Sequence, residues 1–171
     1  NSQVNIRPYV TNMEEMGLIG RVPFHKSRAN HYSLISKIME LHYYLEEKYG
    51  NEAKSPRLVR EVLRDRLPHH VQGFIGELMA QIQDGVLHYH AQPEYDIDII
   101  VTRRNKPVFA AEVKWTKRVS QADVGRFLAN TSDMKCRKAL ITKADIGSDE
   151  IEVLRPEDLL KMAEAHRNKT M

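Results

Sequence analysis

The sequence predicts an α/β fold. Apolar residues recur at helical spacing up to about residue 83, and after Gly85 the period changes to two, as expected of strands. A capped helical run, residues 120–130, interrupts the strand-like runs, and a last helical run from Pro156 closes the chain, so helices and strands alternate instead of segregating.

The elements follow in order. Ile6, Tyr9, Val10, Met13 and Met16 form an amphipathic helix, with Asn5 as a cap, Pro8 in its first turn and Gly17 as its stop. Residues 18–22 and 32–35 then read as a hairpin with a basic tip over 25–30. A second helix spans residues 36–49, and the polar stretch 51–54 is expected to separate two domains. Ser55-Pro56 opens a third helix, which Pro68 is expected to interrupt after Leu67. A fourth, residues 70–83, carries Val71, Phe74, Ile75, Leu78 and Ile82 as its stripe. Strands are expected over 86–90, 96–101, 108–115, 139–142 and 151–154. The second and third are joined by the turn 103–107, and the order from residue 56 is α-α-β-β-β-α-β-β-α. Ser120 with Asp123 makes a capping box, and a final helix covers 156–166.

Composition bounds the function classes. The 171 residues are 42% apolar and 29% charged with a single Cys, which excludes collagenous, low-complexity and disulfide-stapled chains and gives no sign of an oxidising compartment. Apolar runs are a few residues long, against roughly 20 needed to span a bilayer, so no membrane contact is expected and a cytoplasmic location is. The N-terminus has neither an initiator Met nor the pattern of a signal peptide, and the chain is expected to begin within a longer protein. A net charge of +3 is mild, so what matters is where the positive charge sits.

It sits around two carboxylates. In Asp96-Ile97-Asp98-Ile99-Ile100-Val101 the side chains alternate, and Asp98 is a charge inside a buried-strand pattern, which is costly without a partner or a metal. In the next strand Glu112 and Lys114 share a face opposite Phe109, Ala111 and Val113. Pairing Val101 with Val108 would set Asp98 beside Ala111 and Glu112. Two carboxylates and a Lys at one end of a hairpin suit a hard cation with a cationic assistant, such as Mg²⁺ held together with a substrate phosphate. Six of the seventeen residues over 102–118 are basic, namely Arg103, Arg104, Lys106, Lys114, Lys117 and Arg118. That is an environment for phosphate. A structural ion pair of Asp98 and Glu112 with Lys114 or a nearby Arg is the competing reading.

At these residues the sequence resembles the PD-(D/E)xK phosphodiesterase superfamily, on Asp98 in "EYDIDII" and Glu112-Val113-Lys114 in "AAEVKW". The resemblance implies a restriction-endonuclease-like core of α-β-β-β-α-β order, a mixed sheet flanked by helices, over residues 55–171. It implies Mg²⁺ (or Mn²⁺) at Asp98, Glu112 and Val113, Lys114 as catalytic cation, and Glu77, in "GFIGELMAQI", as an accessory acid. The stretches "YDIDIIVTRRNKPVFAAEVKW", "ADVGRFLAN" and "KALITKADI" look most like the domain that follows a winged helix at the C-terminus of archaeal ATPases. Residues 1–50 accordingly resemble the recognition helix and wing of a partial winged helix, followed by a connecting helix. Two departures stand: Gly125 replaces the Tyr of the Gln-x-x-x-Tyr nucleases after Gln121, and Ile97 stands where Pro is usual. No G-x-x-x-x-G-K-[ST] occurs, so no ATP site lies in this chain.

The expected function is therefore Mg²⁺-dependent DNA phosphodiester hydrolysis, endonuclease-like. The expected partners are DNA, the ATPase module of a parent chain and a second copy in a homodimer. Arg103, Arg104, Lys106, Lys117, Arg118 and the wing-tip residues Lys26 and Arg28 would contact DNA backbone, which positions without specifying sequence. The alternatives are a catalytically silent nucleic-acid-binding or regulatory module and a protein-interaction domain on the ATPase. His88 and His90 share a strand face at a spacing zinc can use, but without a third ligand nearby an exposed polar face is expected. His69-His70 are expected at a helix start, and Trp115 in the core.

Overall fold

The computed structural model describes residues 5–91, 95–116 and 118–170. Their contacts divide into two units, one up to Pro23 and over Arg28–His70, the other comprising Phe24–Ser27 and the chain from Val71 onward. Residues Gly50–Lys54 fold as a 3₁₀ turn within the first unit, and the division falls inside a helix, whose hydrogen bonds are local and can continue where long-range contacts change.

In the first unit, α1 (Arg7–Glu15) starts where Asn5 Oδ1 accepts from the Arg7 amide at 3.1 Å and ends before Gly17, whose φ of 69° only glycine adopts readily. Strands β1 (Ile19–Pro23) and β2 (Asn30–Leu34) pair antiparallel from Ile19↔Leu34 to Pro23↔Asn30. Helix α2 (Lys37–Tyr49) is capped by Ser36 Oγ, which accepts from the Met39 amide at 3.4 Å. None of the α1 residues is buried.

Helix α3 (Pro56–Ile82) corrects an expectation, because it runs uninterrupted through Pro68. Proline inside a helix costs about 3 kcal/mol. Burial of Val62 on one side of it and of Ile75 and Met79 on the other offsets that cost. The predicted stripe is corrected as well: Phe74 is exposed, and the packed line is Ile75, Gly76, Met79 and Ala80. A Cβ on Gly76 would stand 3.0 Å from both Leu87 methyls and 3.6 Å from Ile99 Cγ1, so the small residue sets how closely α3 approaches the sheet.

The second unit is built on a five-stranded mixed sheet, order β3-β4-β5-β6-β7, comprising β3 (Val86–Ala91), β4 (Asp96–Arg103), β5 (Lys106–Lys114), β6 (Arg137–Thr142) and β7 (Glu152–Leu154). The first three strands pair antiparallel and the last three parallel. Helix α4 (Gln121–Asn130) makes the crossover from β5 to β6, and α5 (Pro156–Thr170) closes the chain. Val124 and Phe127 of α4 pack on Ile97, Ile100, Ala110 and Leu140, while the C-terminal part of α3 meets Leu87 and Ile99. Ile97, Ile99, Ile100, Val101 and Phe109 are each at most 1% exposed, worth roughly 2 kcal/mol apiece. Among the described residues no helix is long and apolar enough to cross a membrane.

The β4–β5 turn is tighter than expected. Arg103 pairs with Lys106, leaving Arg104 and Asn105 as a two-residue loop with φ of 52° and 61°. Above it Thr102 faces Pro107 but Val101 faces Phe109, so Val108 has no partner in the ladder. Proline cannot donate to a ladder and tolerates such a bulge. The slip of one residue corrects the predicted register: Ile99 faces Ala111, and Asp98 and Glu112 are the next residues beyond that last ladder pair.

Candidate active site

Strand alternation puts Ala110, Glu112 and Lys114 on the face that α4 covers, and Asp98 lines the same cleft although its neighbour Ile97 also packs under α4, because β4 bulges against β3 between Ile97 and Ile100. At the open end of that face the carboxyl of Asp98 is half-buried, and its Oδ2 accepts from the Val113 amide across the hairpin at 2.8 Å. On the backbone side, Gln72 Nε2 of α3 donates to the Asp98 carbonyl at 3.3 Å. Glu112 Oε1 meets Lys114 Nζ at 2.6 Å, with the two side chains 17% and 35% exposed.

The electrostatics of these groups differ. Burial first and the neighbouring charge of Glu112 second push the Asp98 carboxyl up to about 6, against the Val113 amide and Lys114, which pull it down. For Lys114, burial acts to lower its pKa, but the bond to Glu112 and the charges of Glu112, Asp98 and Asp123 outweigh it and raise it. The site therefore holds a firmly charged ammonium and a carboxyl whose charge is incompletely compensated.

Helix α4 forms the facing wall. Its capping box is complete, with Ser120 Oγ accepting from the Asp123 amide at 3.3 Å and Asp123 Oδ2 accepting from the Ser120 amide at 2.9 Å. These bonds and the Ser120 hydroxyl hold the Asp123 carboxyl below its usual range. Asp123, Arg126, Phe127 and Asn130, one helix face, line a cleft of about 350 Å³ together with Tyr95, Asp96, Asp98, Glu112 and Lys114. In the sequence Asp123 reads as a cap alone, and neither Arg126 nor Asn130 stands out. The available signal was the polar spacing 123, 126, 130 beside the core positions Val124 and Phe127.

The structure thus brings Asp98, Glu112, Val113 and Lys114 together and leaves other predicted residues outside. Glu77 is exposed on α3 and does not line the cleft, because Ile75, Gly76, Met79 and Ala80 take the sheet-facing side of that helix. Arg103, Arg104 and Lys106 are exposed at the hairpin turn, five residues along the strand from Asp98, or about 16 Å at roughly 3.3 Å per residue. Arg118 is exposed, its amide bonded to Thr116 Oγ1 at 2.8 Å, and Lys117 lies outside the described residues. Lys26 is engaged with Asp133 at 3.1 Å, and Arg28 is exposed in the first unit. Trp115 is half-buried, not a core residue, with Lys143 Nζ 5.1 Å from its ring centre.

The histidines correct two further expectations. His90 is 6% exposed and His88 is half-buried, not an exposed polar face, because Phe24 bridges to Tyr89 and the His25 amide donates to the Tyr89 carbonyl at 2.7 Å. The His25 ring lies 6.0 Å from His88 and 6.3 Å from His90, and the buried atoms His25 Nε2, His88 Nδ1 and His90 Nδ1 have no hydrogen-bond partner among the described residues. His69 and His70 sit inside α3 instead of at a helix start.

Among the described residues no group of three or more His, Cys, Asp or Glu side chains is arranged to hold a metal ion, and Asp98 with Glu112 supplies two carboxylates. This donor set fits Mg²⁺, which is commonly held by one or two carboxylates with retained water and substrate oxygen. Comparison with protein-family models, curated proteins and solved structures finds no match to this chain.

Proposed function

We propose that the second unit is a Mg²⁺- or Mn²⁺-dependent DNA phosphodiesterase domain, endonuclease-like and built on a restriction-endonuclease-like core. The observation that carries this is the convergence of Asp98, Glu112 and Lys114 at one end of the β4–β5 hairpin, in a cleft open enough for a phosphodiester. The raised Asp98 carboxyl supports it, since a carboxylate left under-compensated beside a second one favours a divalent cation. Asp98 and Glu112 would hold the ion beside Val113. A Mg²⁺ bound there polarises a phosphodiester and lowers the pKa of its water. Lys114 supplies a fixed positive charge for the oxygens on which charge develops.

By the resemblance on which this rests, the domain belongs to a larger cytoplasmic ATPase of archaeal type, follows a partial winged helix and serves DNA processing. The second reading is a silent nucleic-acid-binding or regulatory module of that ATPase. The Glu112–Lys114 contact favours it, because an ion pair of that kind also stabilises a fold that no longer turns over.

The test is cleavage of labelled linear, nicked and branched DNA with Mg²⁺ or Mn²⁺, beside Asp98→Ala and Lys114→Ala. Metal-dependent cutting that both substitutions reduce at least about a hundredfold is expected. DNA binding with no cutting by the wild-type protein would replace the hydrolytic reading with the silent one.

A further inference from the structure

We infer that Arg126, with Asn130 one turn further along α4, is the residue that seats the substrate phosphate in the Asp98–Glu112–Lys114 cleft; this rests on the phosphodiesterase reading.

The charge inventory of the cleft leads to it. Among the described residues, Asp96, Asp98, Glu112 and Asp123 line it against two cations, Lys114 and Arg126. A polyanion entering such a cleft needs a cationic anchor besides whatever the carboxylates themselves bind. Lys114 is committed to Glu112 at 2.6 Å, and Asp123 to the Ser120 cap. Arg126 is exposed and has no carboxylate within ion-pairing distance among the described residues, whereas Arg21, Arg57, Arg66, Arg137 and Arg155 each have one. Among the described residues it is the cleft-lining cation without an ion pair, and its charge acts on the neighbouring Asp123 only at longer range.

Its placement is set by packing. Phe127, 3% exposed, and Val124, 1% exposed, fix the rotation of α4 on the sheet. The positions at 123, 126 and 130 then stand along the cleft wall with no freedom to turn away. A planar guanidinium there can grip the two non-bridging oxygens of a phosphodiester, and the Asn130 amide can donate to one of the same oxygens. The arginines of the β4–β5 turn cannot substitute, since about 16 Å of strand separates them from Asp98. They suit a different phosphate of the same strand.

The experiment uses the 171-residue chain with Arg126→Ala and Arg126→Lys, each checked by circular dichroism for an unchanged fold. Steady-state cleavage of a short DNA duplex is followed in Mg²⁺, and DNA binding in Ca²⁺ over a range of salt. Arg126→Ala is expected to raise KM about tenfold or more and to flatten the salt dependence of binding by about one unit of log–log slope, with Arg126→Lys in between. Cutting by the wild type with KM and salt slope unchanged in Arg126→Ala overturns this inference and leaves the phosphodiesterase reading standing. DNA binding without cutting by the wild type overturns hydrolysis, while the salt slope still decides for or against Arg126. Neither cutting nor DNA binding overturns both.

Discussion

The Val113 amide donates to Asp98 Oδ2 at 2.8 Å across the β4–β5 hairpin. A side chain here takes the bond of a backbone donor, so Asp98 lines the cleft with Glu112, and the slip at Val108 leaves the two as the next residues beyond the last ladder pair, Ile99 and Ala111. The arrangement places two carboxylates together at a cost to the fold, as binding sites commonly do.

That cost can be measured by pH. Asp98 titrates at about 6 in the folded protein against 3.8 for an ordinary Asp, so its ionisation opposes folding as pH rises from about 4 through 6, and the penalty is complete above that. In chelator-treated protein, Asp98→Asn keeps an acceptor for the Val113 amide and is expected to be more stable than wild type by about 2–3 kcal/mol at pH 8, and no more stable at pH 4. Urea midpoints at the two pH values check this, and a less stable variant at pH 8 would sink it.

On the proposed reading, a divalent cation at Glu112 would compete with Lys114. Lys114→Met removes an ammonium 2.6 Å from Glu112 Oε1, and Mg²⁺ or Mn²⁺ affinity is expected to rise about tenfold although cleavage is lost. Calorimetric titration separates the two effects. Weaker metal binding in the variant would mean that Glu112 is not a metal ligand.

The cluster of His25, His88 and His90 predicts acid sensitivity. Desolvation holds all three below the ordinary histidine pKa. Lys26 adds to this at His25 and His90, while Asp133 opposes it at both and Asp96 at His90. Neutral rings favour the fold, so their contribution is full above about pH 6.5 and declines as pH falls through that value, where the unfolded chain takes up protons first. A combined His88→Gln, His90→Gln variant is expected to show a flatter loss of stability between pH 7.5 and 5.5 in denaturant titrations. An unchanged slope would show that the rings do not titrate in that window.

Gly85 joins α3 to the sheet in close contact. A Cβ there would stand 2.5 Å from Val101 Cγ1 and 2.7 Å from the Thr102 carbonyl oxygen, and backbone cannot yield as a side chain can. Gly85→Ala is expected to cost about 1–3 kcal/mol by chemical denaturation. A loss below about 0.5 kcal/mol would mean that the α3–β3 junction is free to shift.

Much of this was legible in sequence, because it depends on local chemistry. The change of period after Gly85, the Ser120–Asp123 box, the two-strand hairpin over 19–34 and the sharing of one face by Glu112 and Lys114 all follow from the geometry of single elements. The continuity of α3 through Pro68, the β4–β5 slip at Val108, the burial of His90 and the exposure of Glu77 were decided by tertiary contacts, since each depends on what a distant segment brings against it. Arg126 belongs with these: composition says only that it is basic, and its place beside the carboxylates comes from Phe127 locking α4 onto the sheet. The sequence by itself determined which groups carry charge and on which element they ride; packing free energy, summed over residues far apart in the chain, determined which of those groups meet.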